Sequence, residues 1–125
     1  MAIPVVVSSE KINGIQQPIP KSETRPVKYV YSTAFLKDTA SEDAIKYGLS
    51  PIQYSQMMAT IFCESGWQID PKHNGISWGI AQFTKPTWKE FGYGDIMNPL
   101  TQLEVMASMI HRGLFNRWDC FRMLK

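Results

Sequence analysis

The sequence predicts a mainly α fold with at most a small β-hairpin. Three observations predict it. Helix-start signals recur at Ser50-Pro51-Ile52-Gln53, at Thr84 and at Asn98-Pro99. Leu100, Leu103, Met106, Ala107 and Ile110 then fall at helical spacing. Gly48, Gly66 and Gly113 sit where those helices need to stop. A chain of 125 residues that is 44% hydrophobic is long enough for one domain with a real core.

Residues 1–32 read as an extended N-terminal arm or linker. Val5-Val6-Val7 suits a short strand, and Tyr29-Val30-Tyr31 is strand-like but short. Between them, Gln16-Gln17-Pro18-Ile19-Pro20 and the residues up to Pro26 are polar and proline-rich, as in extended linkers. Residues 33–125 carry the helical signals of the domain itself. Thr39 and Glu42 form a capping box that predicts a short helix ending at Gly48. Ser50 caps the next helix, Pro51 takes its first position and Gln53 reaches back, which predicts a helix to about Ser65. Residues 66–83 read as a loop with room for a hairpin. Thr84 predicts a short helix through Trp88 to Phe91, and Asn98-Pro99 opens a helix that Gly113 ends. Residues 115–124 suit a last turn or short helix.

Composition narrows the function. The net charge of +2 comes without a run or stripe of Lys and Arg, so nucleic acid is not an expected partner. No stretch has the length of a membrane span. Met1–Val7 lacks the basic start and full apolar core of a secretory leader. Such a start fits an exported protein whose leader has been removed, and equally a cytosolic one. Cys63 and Cys120 lack zinc-knuckle spacing. They either pair, which needs an oxidising compartment, or stand as two buried thiols. Neither Cys63 nor Cys120 has close ligand spacing to His73 or His111, so no metal is expected. His73 reads as a loop residue and His111 as a helix-end residue. A Cys63 nucleophile is disfavoured because the adjacent Glu64 would raise its thiol pKa. Met57, Met58, Met97, Met106 and Met109 read as core.

Glu64 stands out. In a helix over 51–65 it shares a face with Met57, Thr60 and Ile61. That face is mainly apolar, and desolvation favours the neutral acid. It also falls in the last helical turn, where the dipole disfavours a carboxylate. Both effects push its pKa upward, as a general acid near neutral pH requires. A Glu that bends out to solvent at a frayed helix end fits the pattern as well. The loop beyond it contributes Gly79, which permits close backbone approach, and Gln82, whose amide both donates and accepts. Trp67, Trp78, Phe83 and Tyr93 offer flat faces for sugar rings, or serve as core.

In order and spacing these residues resemble the lytic transglycosylase and goose-type lysozyme group of peptidoglycan-cleaving enzymes. The family pattern is a Glu-Ser pair ending a helix, here Glu64-Ser65, then Gly-x-x-Gln, here Gly79-Ile80-Ala81-Gln82. Pro86-Thr87-Trp88 and Asp95-Ile96-Met97-Asn98-Pro99 follow, with Gln102 a turn further on. A small branch of the group has Cys before the Glu and closes with Trp-x-Cys, here Cys63 and Trp118-Asp119-Cys120. The resemblance spans roughly residues 50–120.

The resemblance implies a lysozyme-like helical fold with a sugar cleft and a Cys63–Cys120 disulfide. Glu64 would protonate the glycosidic oxygen between N-acetylmuramic acid and N-acetylglucosamine. The same carboxylate would then draw a proton from the muramoyl C6 hydroxyl in a transglycosylase, or from water in a lysozyme. The substrate's acetamido group would replace the usual second carboxylate. The expected substrate-binding set is Ser65, Ser77, Gly79, Gln82, Phe83, Tyr93 and Asn98, and Asp95 is the runner-up acid. The chain departs from the family in lacking the Ala-Tyr-Asn-x-Gly segment whose Tyr bonds the catalytic Glu; Tyr93 and Tyr54 are candidate replacements. The expected partner is peptidoglycan glycan strands, with no cofactor, no transmembrane segment and a monomeric state. The implied location is secreted or cell-envelope, or cytoplasmic before release for a phage enzyme.

Overall fold

Ser50 shows how directly a local signal becomes an element. In the computed structural model, which describes residues 28–72 and 75–123, its side chain accepts the Gln53 N–H at 3.1 Å. The Gln53 side chain in turn accepts the Ser50 N–H at 2.8 Å, closing the capping box. Helix α2 then runs Pro51–Ser65 and stops at Gly66, whose φ of 63° is left-handed.

The other elements follow in chain order. Helix α1 spans Thr33–Lys46, and strands β1 (Ser77–Trp78) and β2 (Phe83–Thr84) make a two-stranded antiparallel hairpin. Helix α3 covers Lys85–Phe91 behind the Thr84 cap, and α4 covers Pro99–His111 behind the Asn98 cap. A 3-10 turn at Phe115–Arg117 leads into α5, Asp119–Met123. The fold is thus mainly helical with one small hairpin, as the start and stop signals predict. No helix among the described residues is long and apolar enough to cross a membrane.

Two expectations are corrected. Helix α1 starts at Thr33, not after Thr39. Thr39 lies inside it, its hydroxyl donating back to the Phe35 carbonyl at 3.0 Å. The cause is burial: Leu36, Ala40 and Ala44 form a buried stripe that begins before Thr39, and this stripe outweighs the capping signal. Residues 28–32 form neither helix nor strand, because a strand needs a ladder partner and the sheet of the described residues is β1–β2 alone. Val5-Val6-Val7, the proline-rich stretch and His73 lie outside the described residues.

Helix α4 is the central element. Eight of its thirteen residues are buried, so it is enclosed nearly all round. Helix α1 packs along it, and α2 touches α1 and α5. Around the hairpin, Phe83 meets Trp88 and Trp118 edge to face, with ring centroids 5.0 and 5.4 Å away. Trp118 meets Phe115 the same way, and Phe115 stacks on Phe121 at 3.9 Å. A continuous row of rings therefore joins α3, the hairpin, the 3-10 turn and α5.

Gln102 is the polar exception inside α4. It is fully buried, yet its amide is satisfied on both sides. Its oxygen accepts the Ala81 N–H at 2.8 Å. Its nitrogen donates to the carbonyls of Trp78 at 2.9 Å and Ile96 at 2.5 Å. The hairpin turn and the lead-in to α4 are both fastened to this one side chain. Gly79, at a left-handed φ of 80°, lies over it; a Cβ there would come within 2.3 Å of the Gln102 amide nitrogen. The close approach that Gly79 permits is thus to Gln102.

Gln102→Leu strands the buried Ala81 N–H and the part-buried carbonyls of Trp78 and Ile96. It is expected to destabilise the fold by about 3 kcal/mol or more in urea denaturation, whereas a loss under about 1 kcal/mol would contradict this role.

Candidate active site

Glu64 occupies the last turn of α2, one residue before the helix ends. Met57, Thr60 and Ile61 on its face are all fully buried. The Glu64 side chain itself is half-buried at the edge of that face. Burial pushes its carboxyl above the ordinary carboxylate pKa. The Cys120 N–H, donating to the carboxylate at 3.3 Å, works in the opposite direction, and the nearby Asp119 charge adds a smaller upward push. The solvent-directed alternative for Glu64 is therefore not what the fold adopts.

Cys63 and Cys120 form a disulfide that closes a separation of 57 residues. In the chain-entropy description, closing a loop of that length stabilises by about 4 kcal/mol. With both thiols consumed, neither a zinc set nor a Cys63 nucleophile is available.

The two short motifs fold into two tight turns. Ser65 is buried, donates to the Ile61 carbonyl at 3.2 Å and accepts the Trp67 N–H at 3.1 Å. Gly79 and Gln82 are the ends of the hairpin turn. The Gln82 backbone N–H and its side-chain amide both donate to the Gly79 carbonyl, at 3.2 and 2.8 Å. Among the described residues, the non-glycine residues with positive φ are Trp67 at 67° and Gln82 at 55°. Each lies in one of these turns, where backbone strain is a recognised mark of functional sites.

Residues 118–120 connect the turns. The Trp118 indole N–H donates to the Ala81 carbonyl at 2.8 Å, inside the hairpin turn. Two residues later the Cys120 N–H reaches Glu64. Glu64, the hairpin turn and the Trp118-Asp119-Cys120 segment are thereby held as one unit.

The remaining site residues are placed differently. Phe83 is 2% exposed among Trp88 and Trp118, so it belongs to the core and offers no face to a ligand. Asn98 is a cap, its side-chain oxygen accepting the Leu100 N–H at 3.0 Å. Ser77 pairs with Thr84 across the hairpin. The Tyr93 hydroxyl donates to Glu104 at 2.6 Å, and Tyr54 shares a hydrogen bond with Ser41 at 2.8 Å. Neither tyrosine replaces the missing Tyr at Glu64, because each is committed to another partner. Asp95 shapes the approach to α4 by accepting the Met97 N–H at 2.9 Å. Trp67 is buried; Trp78 is half-exposed, with the Lys85 ammonium 4.9 Å from its ring centre.

A second group of titratable residues lies where α1 meets α4. Glu104 accepts from Lys46, from Tyr47 at 3.0 Å and from Tyr93 at 2.6 Å. These donors hold its carboxyl below the usual range, and the hydrogen bond to Glu104, with burial, pushes Tyr93 up to about 12. Asp43 is pushed up to about 7, first by burial and then by the Glu104 charge. One of its carboxyl oxygens is buried without a partner. Sequence reasoning missed Asp43, although the signal was present: it adjoins Ala44 and follows Ala40 by three positions on the buried stripe of α1.

Comparison with family models, with curated proteins and with solved structures finds no match to this chain.

An Asp43 carboxyl at about 7 in the fold and 3.8 otherwise binds more protons folded than unfolded between those values. Its stabilising contribution is full below about pH 4 and is lost as pH rises through about 7. Asp43→Asn is expected to flatten that slope. It should raise stability at pH 8 by about 1–2 kcal/mol, after discounting for partial solvent screening. Urea denaturation of both proteins at pH 5 and pH 8 checks this; identical pH dependence would contradict it.

Proposed function

We propose that the protein is a peptidoglycan-cleaving glycosidase acting on the β-1,4 bond between N-acetylmuramic acid and N-acetylglucosamine. Glu64 is its essential acid and base. The observation that carries this reading is the setting of Glu64: a half-buried carboxyl with a raised pKa, held by the Cys120 N–H. The strained turns at Trp67 and Gln82, fastened to the same unit, add to it. So does the ordered series of motifs shared with the lytic transglycosylase and goose-type lysozyme group.

In this reading the protonated Glu64 donates to the glycosidic oxygen as the bond to the muramoyl C1 breaks. The carboxylate left behind then removes a proton from the muramoyl C6 hydroxyl, which closes onto C1 and leaves a 1,6-anhydro end. The substrate acetamido group stabilises the oxocarbenium-like centre, so one carboxylate suffices. In this reading Gln82 and the half-exposed Trp78 are the hairpin groups that meet the sugar. A lysozyme outcome, with water in place of the C6 hydroxyl, uses the same residues. The disulfide fits an oxidising location, secreted or in the cell envelope.

A catalytically idle wall-binding module is the second reading. It is favoured by the commitment of Tyr93 and Tyr54 to partners other than Glu64.

Glu64→Gln is expected to lower cleavage of purified peptidoglycan by about 100-fold or more while the fold is kept. Full retained activity would remove Glu64 from the chemistry, and wall binding without cleavage by the unmutated protein would favour the idle module. Mass spectrometry of the products separates anhydromuramoyl ends from reducing ends.

A further inference from the structure

We propose that the Cys63–Cys120 disulfide is a positioning and redox-sensitive element of the Glu64 site, keeping the Cys120 N–H on the carboxylate and losing that hold when reduced. This rests on the reading of Glu64 as the catalytic acid. Cys63 is the residue immediately before Glu64, and Cys120 supplies both the partner sulfur and the N–H at 3.3 Å. The covalent link and the hydrogen bond thus join the same two short segments. In the family this chain resembles, a tyrosine bonds the catalytic Glu. Here a backbone N–H does so, and a backbone donor can be placed only by placing its segment.

The placement of that segment is economical. Helix α5 is five residues long, too short to persist without tertiary support. Trp118 on the Ala81 carbonyl and Phe121 on Phe115 hold it from one side. The disulfide is its covalent tie to α2. Cys63 is an exposed residue whereas Cys120 is buried, so a dithiol reductant approaches the bond from the Cys63 side. Exchange breaks the Cys63–Cys120 bond, leaves two cysteine thiols and converts the dithiol to its own disulfide, with both protons passing from reductant to protein. The charged side chain acting on Glu64 is Asp119, itself paired with Arg122. Burial outweighs the Cys120 N–H at Glu64, so release of the segment lets water in and lowers the Glu64 pKa.

The test compares oxidised and dithiol-reduced protein, with free thiols counted and folding followed by circular dichroism. Glu64 is titrated by carbon-13 NMR, assigned by its absence in Glu64→Gln, and turnover is measured on soluble peptidoglycan glycan strands. Reduction is expected to move the Glu64 midpoint and the basic limb of activity to lower pH together. It should also lower kcat about tenfold with KM within about twofold, and reoxidation should restore both. An unchanged midpoint, or a shifted midpoint with unchanged kcat, overturns the proposal. If the reduced protein unfolds, Asp119→Asn in the oxidised protein decides: a lowered Glu64 midpoint supports the contact with residues 119–120, and an unmoved one overturns it. Activity retained by Glu64→Gln would instead overturn the catalytic reading, while the NMR titration still reports on the disulfide.

Discussion

A single buried amide fastens the hairpin and the lead-in to α4 to the core of this molecule. Gln102 belongs to the most enclosed helix, and it carries no charge to neutralise and no cavity to fill. What it does is satisfy one N–H and two carbonyls contributed by the hairpin and by the lead-in to α4. Loop backbone can be buried only where such partners exist. The hairpin turn can therefore sit against α4, Ile80 and Ala81 can be fully enclosed, and the Ala81 carbonyl is presented to Trp118. Gly79 is required because the amide lies directly beneath it.

From that anchored turn the structure reaches Glu64 in two steps. Trp118 grips the turn, and the chain then advances two residues to Cys120, which is bonded to Glu64 by hydrogen bond and to Cys63 by sulfur. Trp-x-Cys reads from this geometry as a clasp between the hairpin and the acid-bearing helix. Burial under the clasp keeps a proton on Glu64 at higher pH than an ordinary carboxyl holds one, while the single N–H steadies the anion once the proton has left. An acid that must first donate and then accept a proton benefits from both. The Asp43–Glu104 pair at the α1–α4 contact shows a similar opposition of forces put to a different use. There the raised and lowered acids sit among tyrosines and a lysine, and their effect falls on stability.

Much of this was legible in the chain because the deciding forces were local. The Ser50, Thr84 and Asn98 caps, the glycine stops and the α4 stripe each act within a few residues, and each appears where the spacing puts it. Thr39 was misleading for the opposite reason: its capping pattern is local, but the Leu36-Ala40-Ala44 stripe that overrides it gains its energy from α4. Phe83 taken singly reads better as core, the loop pattern puts it in the sugar-binding set, and the meeting of Trp88 and Trp118 around it decides for core. Tyr93, Tyr54 and the Cys120 N–H are cases of long-range pairing that spacing cannot express. Gln102 was noticed by position, but the three partners of its amide come from segments brought together only by folding.

The central claim is that the Glu64 carboxyl acts directly on a glycosidic bond. The most direct measurement is a crystal structure of the Glu64→Gln protein with a bound peptidoglycan glycan oligomer. A glycosidic oxygen between muramoyl and glucosaminyl units is expected about 3 Å from the residue 64 side chain, with the sugar against the Gln82 turn. A glycan bound with every glycosidic oxygen beyond reach of residue 64 would contradict it.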